Sequence, residues 1–279
     1  MSETLVRAIS GAVYVAILLI AAWYSEVSFK ILMGIFLVLA TVEFSRLIRF
    51  TPSVGFVLAI GLYALFGFFN NFGNNPDLFI TAFAALTGLW LIKKLFSSDS
   101  LVINNDIYKY LLFIGYVVFP FVIITKIPQT DGSYEPYAII SIFLLIWIND
   151  TFAYLVGKSF GKHKLLERIS PKKTVEGFVG GAVFTVVTAW FLGKYYVEIF
   201  GTLHTEYRFI PGFWIVLAII VVIFATLGDL VESKFKRSAN VKDSGNIMPG
   251  HGGILDRLDS IIFVAPFVYL FYQIIDYVS

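Results

Sequence analysis

The chain has 279 residues and a formal net charge of +2, and it is 58% apolar but only 14% charged. A soluble domain carries roughly 45–50% apolar and about 25% charged residues, so this composition indicates a polytopic membrane protein. The small net charge gives no support for binding nucleic acid. The sequence contains no cysteine, which excludes disulfides, thiolate metal ligands and cysteine nucleophiles.

Apolar segments predict an all-α polytopic membrane protein with about nine transmembrane helices, since each approaches the roughly 20 residues that a helix needs to cross a bilayer. The predicted spans are 5–24, 29–48, 54–72, 78–96, 107–125, 136–157, 177–197, 212–233 and 259–278. We expect a single integral membrane domain over 1–279. Within it, 1–135 holds the hydrophobic N-terminal spans and 136–279 forms the C-terminal half.

The distribution of Lys and Arg predicts the orientation. If the N-terminus is cytoplasmic, most of the 21 basic residues fall in cytoplasmic segments. The opposite side keeps only Lys30, Lys126, Lys194 and Arg208. We therefore expect a multi-pass protein of the inner (plasma) membrane, with its C-terminus outside and its basic loops on the cytoplasmic side.

The sixth span carries two polar residues, Asn149 and Asp150, inside a strongly apolar run. Asparagine often makes helix–helix hydrogen bonds in bilayers, so a structural role and a role at a site are both open. The loop that follows is basic and includes Lys172 and Lys173. These lysines either face anionic headgroups, as a loop on the positive side would, or bind phosphate.

One face of the eighth span is polar. Asp229, Glu232, Ser233, Lys236 and Arg237 follow helical spacing after an uninterrupted apolar run. An ionised carboxylate at the edge of the hydrocarbon is costly unless it is paired or bound to a metal. An internal ion pair such as Asp229 with Lys236 is one explanation of this face.

Asp256 and Asp259 lie one turn apart at the start of the ninth span, so they share a face of that helix. Together with Asp229 they would repel one another at one depth unless a cation lay between them. Few histidines and no cysteines favour an oxygen-ligated metal, and Mg²⁺ is the natural choice where phosphates are handled. The sequence thus predicts Asp229, Asp256 and Asp259 as metal ligands.

Between these two spans lies a charge-dense, glycine-rich link. Gly250, Gly252 and Gly253 suit either a tight turn into the last helix or backbone N–H groups that approach phosphate at its N-terminus. His251 in the same turn suits a hydrogen-bond partner, a phosphate donor or an acid/base group near neutral pH.

The spacing of the polar residues across this link resembles the signature of the phosphatidate cytidylyltransferase (CDP-diacylglycerol synthase) family. The matching positions are Ser233, Lys236, Arg237, Lys242, Asp243, Gly245, Pro249, His251, Gly252, Gly253, Asp256, Arg257 and Asp259. The resemblance extends upstream to Asn149-Asp150, to Ser170 through Gly177 and to Gly228-Asp229. It covers the C-terminal half well and the N-terminal half only weakly. The resemblance thus implies that 136–279 is the catalytic half, with its active site on the cytoplasmic side.

The resemblance implies a nucleotidyltransferase of phospholipid biosynthesis that transfers CMP from CTP to phosphatidate and yields CDP-diacylglycerol and pyrophosphate. It implies Mg²⁺, and a second cation that could share its centre. CTP, phosphatidate and membrane lipid are the expected partners, nucleic acid is not, and a homodimer is left open. The catalytic residues it indicates are Asn149, Asp150, Lys172, Lys173, Lys236, Arg237, Lys242, Asp243, His251 and Arg257, and Gly250, Gly252 and Gly253 are its candidate phosphate-binding residues.

Two other functions fit parts of the sequence. An ion-coupled transporter would explain acids within the membrane, but the polar groups crowd into one half rather than recurring in two. A transferase of phosphoalcohols from CDP-lipids usually shows an Asp-Gly and Ala-Arg pairing and aspartates four residues apart. Here Asp131-Gly132 lies in a predicted external loop, and Asp256 and Asp259 are three residues apart.

Overall fold

The computed structural model describes residues 3–69, 75–97, 101, 103–130, 133–200, 211–250 and 252–278. Its helices are α1 (Glu3–Tyr24), α2 (Glu26–Ile48), α3 (Pro52–Leu62) with a π-helical turn (Tyr63–Phe68), α4 (Asn75–Phe96), α5 (Asp106–Phe113) with a second π-helical turn (Ile114–Val118), α6 (Phe119–Lys126), α7 (Pro136–Phe160), α8 (Val175–Phe200), α9 (Pro211–Ser238) and α10 (Leu255–Val278). Two short antiparallel pairs join β1 (Gln129–Thr130) to β2 (Ser133–Tyr134) and β3 (Lys164–Leu166) to β4 (Ser170–Thr174).

Eight helices in the described part of the chain are long and apolar enough to cross a membrane, which confirms the all-α polytopic fold. The predicted span 54–72 is instead a shorter apolar helix, Pro52–Phe68, of about 25 Å at 1.5 Å per residue. It runs alongside α2, because the carbonyl of Phe68 accepts from Lys30 Nζ at 3.3 Å and Gly55 packs near Thr41. This segment thus lies against α2 at least from Lys30 to Thr41.

Helix ends rich in Lys and Arg gather at one end of the bundle, here called the loop end. There Ser10 of α1 donates to the carbonyl of Pro249 at 3.0 Å, and Lys234 of α9 donates to the carbonyl of Ser97 at 2.9 Å. At the other end, Lys126 pairs with Asp77 at 2.6 Å. Lys234 and Lys126 thus lie at opposite ends of the bundle, whereas the compartment that each end faces stays a prediction.

Glycines allow the C-terminal helices to approach closely at the loop end. A Cβ at Gly180 of α8 would lie 2.6 Å from Val156 of α7, and one at Gly228 of α9 would lie 2.5 Å from the side chain of Phe263 in α10. Small residues at such crossings let membrane helices pack backbone to backbone. This packing brings the polar residues of α7, α9 and α10 together.

Candidate active site

Three carboxylates from three helices converge at the loop end. Asp150 on α7, Asp229 on α9 and Asp259 on α10 lie within electrostatic range of one another. Lys173 on β4 reaches into this group, with its Nζ 2.6 Å from Asp229 Oδ2. We call Asp150, Asp229, Asp259 and Lys173 the acidic cluster. A cation among three carboxylates offsets the repulsion that would otherwise oppose their convergence.

Asp256 makes a different set of contacts from Asp229 and Asp259, the other two predicted metal ligands. Its Oδ2 accepts from the backbone N–H and the hydroxyl of Ser244 and from the N–H of Gly253, each at 2.8 Å. Its Oδ1 lies 2.6 Å from Lys236 Nζ, and Lys236 also pairs with Glu232. Asp256 therefore fixes the link between α9 and α10, and Asp150 takes the place beside Asp229 and Asp259.

The ion pair between Asp229 and Lys236, which the sequence left open, does not form within the described ranges. Asp229 pairs with Lys173, and Lys236 pairs with Glu232 and Asp256. Sequence spacing along one helix cannot reveal a partner that arrives from a hairpin more than fifty residues earlier.

A cavity of about 260 Å³ opens beside the acidic cluster between α1, α7 and α10. Its charged wall is formed by Asp150, Asp259 and the exposed Arg257, and Asp256 also borders it. Its remaining wall is largely apolar, formed by Gly11, Tyr14, Val15, Phe143, Ile146, Trp147, Ser260 and Ile261. An anionic part of a ligand is complementary to this wall only at Arg257, since the carboxylates repel it, whereas an apolar part fits the rest of the lining.

The basic residues predicted to bind phosphate differ in their availability. Lys172, Lys242, Arg237 and Arg257 are exposed, as is Asp243. Arg237 donates to the carbonyl of Val241 at 3.3 Å, which holds the start of the link. Lys236, by contrast, already has two carboxylate partners, so its charge is balanced within the protein.

The β3–β4 hairpin that carries Lys173 is anchored to the start of α8. Glu176 accepts from the backbone N–H groups of Lys162 at 3.0 Å and His163 at 3.1 Å, and it also contacts the ring of His163. The N–H of Gly177 donates to Thr174 Oγ1 at 3.1 Å, which caps α8. These contacts fix the direction in which Lys173 leaves the hairpin.

A tight turn precedes α10. Gly250 and Gly252 have φ values of 75° and 83°, which L-residues other than glycine rarely adopt, and Met248 N–H donates to the carbonyl of Gly252 at 2.9 Å. The N–H of Gly253 is directed to Asp256. His251 lies outside the described residues, as do Asp131, Gly132 and Arg208.

Asn149 is buried where α7 meets α8. Its Nδ2 donates to Asp150 Oδ1 at 3.4 Å, and its Oδ1 has no hydrogen-bond partner among the described residues. A Cβ at Gly181 of α8 would lie 2.7 Å from that oxygen. Asn149 therefore orients Asp150 rather than bonding across the helix pair.

No group of three or more Asp, Glu, His or Cys side chains in the described part of the chain is arranged closely enough to hold a metal ion. Asp150, Asp229 and Asp259 nevertheless supply only oxygen donors, which hard divalent cations prefer. The ammonium of Lys173 already lies against Asp229, so it marks where positive charge is stabilised in this cluster.

The fold and this cluster define a polytopic membrane protein with three carboxylates and a lysine grouped at one end. The chain belongs to the cytidylyltransferase family, which it matches over residues 5–275. This membership confirms the resemblance seen in the signature residues. Neither the transporter nor the phosphoalcohol transferase that the sequence left open is supported by these findings.

Several relatives are named phosphatidate cytidylyltransferase. The protein of Bacillus subtilis (strain 168) is 42% identical over 184 residues, which cover 66% of this chain and 62% of that protein. The protein of Staphylococcus aureus (strain COL) is 44% identical over 158 residues, which cover 56% of this chain and 55% of the relative. The protein of Staphylococcus saprophyticus is 36% identical over 226 residues, which cover 79% of this chain and 80% of the relative.

Proposed function

We propose that this protein transfers CMP from CTP to phosphatidate, giving CDP-diacylglycerol and pyrophosphate, at the cytoplasmic face of the inner membrane. The observation that carries the proposal is the acidic cluster beside a half-apolar cavity at the loop end. The phosphate of a lipid suits Arg257 on the cavity wall, and its acyl chains suit the apolar part of that wall. CTP is a soluble anion and would reach the same end of the bundle from the aqueous side. The names of the relatives support the same reaction.

In this reaction a phosphate oxygen of phosphatidate attacks the α-phosphorus of CTP, and the bond from that phosphorus to the bridging oxygen of pyrophosphate breaks. The nucleophile is ionised at neutral pH, so no strong general base is required. The main barrier is the repulsion of two anions, together with the charge that develops on pyrophosphate. Cationic side chains at the site therefore matter more than a proton acceptor.

The residues of this chain divide that work by position. Arg257 on the cavity wall is placed to bind the phosphate of the lipid, whose acyl chains would follow the apolar wall past Trp147. Lys172 is exposed on the hairpin and can approach the phosphates of CTP from the aqueous side. Lys173 is placed to exchange its contact with Asp229 for one with phosphate.

In this proposal Asp150, Asp229 and Asp259 would hold Mg²⁺ after a rearrangement that brings their carboxylates closer, because as described they are not close enough to hold an ion. The bound ion would supply charge that offsets the phosphates and stabilises the leaving group. Lys173, which contacts Asp229 in this structure, would then be available to neutralise phosphate charge. Asn149 orients Asp150 for this role through its hydrogen bond.

Pyrophosphate release from CTP by purified protein in detergent, with and without phosphatidate, tests the proposal. We expect release only when phosphatidate, Mg²⁺ and CTP are all present, and CDP-diacylglycerol in equal amount by mass spectrometry. EDTA should abolish turnover, and added Mg²⁺ should restore it. Turnover that ignores phosphatidate, or that persists in EDTA, would contradict the reaction and the metal respectively.

A further inference from the structure

Glu43 is a buried carboxylate of the N-terminal half that contacts the glycine-rich link. It lies in the last turns of α2 and is 1% exposed. Its Oε1 accepts from the N–H of Ile254 at 3.0 Å, and its Oε2 accepts from the N–H of Leu255 at 2.8 Å. These groups open α10, so Glu43 supplies the anion that the N-terminus of this helix favours.

The link also closes on Glu43 from two sides. A Cβ at Gly245 would lie 2.5 Å from Oε1 of Glu43, and a Cβ at Gly253 would lie 2.5 Å from its Cδ. Both positions therefore need glycine because a carboxylate from another helix occupies the space. The two glycines explain how a chain segment can wrap a buried side chain without leaving a gap.

Ser244 joins Glu43 to the Asp256 network. Its hydroxyl donates to Asp256 Oδ2 at 2.8 Å, and the same oxygen lies 3.1 Å from Glu43 Oε2. Asp256 in turn pairs with Lys236 of α9. One contiguous set of contacts therefore runs from α2 through the link to α9, and it fixes the first turn of α10. Asp259 lies one turn further along that helix and Arg257 lies between.

We propose that Glu43 is a positioning residue of the reaction. It sets the placement of the first turn of α10, so that Asp259 faces Asp150 and Asp229 and Arg257 faces the cavity. The inference rests on the proposed function. Glu43 does not line the cavity, so it acts through α10 rather than on substrate. A misplacement of about 1 Å at reacting groups can cost about 100-fold in rate.

Glu43→Gln tests this role because it keeps the size of the side chain and removes its charge. One amide oxygen remains, but the amide NH₂ must then face a donor of α10 or the hydroxyl of Ser244. We expect kcat per folded protein to fall about 10- to 100-fold, with KM for CTP changed by less than about threefold. Ser244→Ala, a smaller change, should lower kcat in the same direction by a smaller factor.

The double variant Glu43→Gln/Ser244→Ala separates one shared network from two independent effects. If Glu43 acts through the link, the double variant should lose little more kcat than Glu43→Gln alone. Losses that multiply fully would contradict a common path. Should Glu43→Gln not fold, the Ser244→Ala and Glu43→Asp variants carry the same comparison, since Asp keeps the charge but shortens the reach to α10.

Asp77→Asn is the matched control, because it weakens a buried carboxylate at the end of the bundle away from the site. It should lower stability while kcat per folded protein stays within about twofold of the wild type. An equal fall in kcat for Asp77→Asn and Glu43→Gln would overturn the inference, since general destabilisation would then explain both.

A spin label on Asn246→Cys gives a readout that does not depend on activity, and the parent chain has no other cysteine to react. Asn246 is exposed in the link, and we expect its label to become more mobile in the Glu43→Gln background. If the mobility of this label is the same with Glu43 and with Gln at that position while the wild type releases pyrophosphate, the positioning role of Glu43 is wrong and the proposed function stands. A wild type that releases no pyrophosphate would overturn the proposed function, and with it any positioning role in that reaction.

Discussion

Exchanging Asp256 or Asp259 for asparagine should have opposite effects on stability, although the two residues lie one turn apart. Asp256 accepts three hydrogen bonds at 2.8 Å and pairs with Lys236 at 2.6 Å. Asp259 faces Asp150 and Asp229, which carry the same charge. Removing the charge of Asp256 therefore breaks favourable contacts, whereas removing that of Asp259 relieves repulsion in the protein without metal.

The magnitude for Asp256→Asn follows from these contacts. The amide keeps one oxygen for the Ser244 and Gly253 donors, so the main loss is the contact with Lys236. A hydrogen bond to a charged group contributes about 1.5–3 kcal/mol, and Lys236 retains Glu232 as a partner. We expect the free energy of unfolding to fall by about 2 kcal/mol. Asp259→Asn should leave it unchanged or raise it.

Chemical unfolding of both variants in detergent with EDTA, followed by pyrophosphate release over a Mg²⁺ titration, makes the comparison. Asp259→Asn should require more Mg²⁺ for half-maximal turnover and reach a lower maximum. Asp256→Asn should keep the Mg²⁺ dependence of the wild type. Our assignment of Asp150 rather than Asp256 to the cluster would be refuted if Asp256→Asn were fully stable and shifted the Mg²⁺ requirement.

Three further outcomes are expected. Asp77→Asn should lower the free energy of unfolding by about 3–5 kcal/mol, because the buried Lys126 loses the negative charge of this partner. Asp106→Asn should lower it by less than about 1 kcal/mol, because the side chain of Asp106 is 74% exposed in its ion pair with Lys109. Equal losses in the two variants would contradict the argument from burial. Lys173→Ala should lower turnover about 100-fold with the fold intact, as measured by pyrophosphate release and circular dichroism, and full activity would remove Lys173 from the site. Ser170→Cys should react with an impermeant maleimide in inverted vesicles but not in intact cells, and the reverse pattern would overturn the proposed orientation.

Composition and signature spacing were sufficient to predict the helical membrane fold and the family, because both depend on runs of residues that are local in sequence. They also placed Asp229 and Asp259 in one centre. They could not identify the partners of Asp256 and Lys236, since these depend on how the link folds back on α9. They missed Glu43 entirely, although a lone carboxylate in the apolar run 29–48 was a signal that could have been followed.

The span 54–72 shows a different limit. Hydropathy extended it to 72, whereas the structure ends the helix at Phe68. Lys30 donates a hydrogen bond to the carbonyl of Phe68, which would otherwise be unpaired at a helix end inside the bundle. The hydropathy of the segment cannot reveal this contact. The predicted and observed helix ends therefore differ here because a polar partner from α2 lies near the end of the helix.

The contacts that α1 makes with α10 and with the link before it have a consequence for the order in which the helices assemble. Ser10 bonds Pro249 and Tyr14 bonds the carbonyl of Arg257 across separations of 239 and 243 residues. Because α1 is synthesised long before α10, the wall of the cavity to which both contribute cannot form until α10 has been inserted. Since loop closure over such distances is slow, assembly of the catalytic end should be a late step in biogenesis, after the helices have each been inserted.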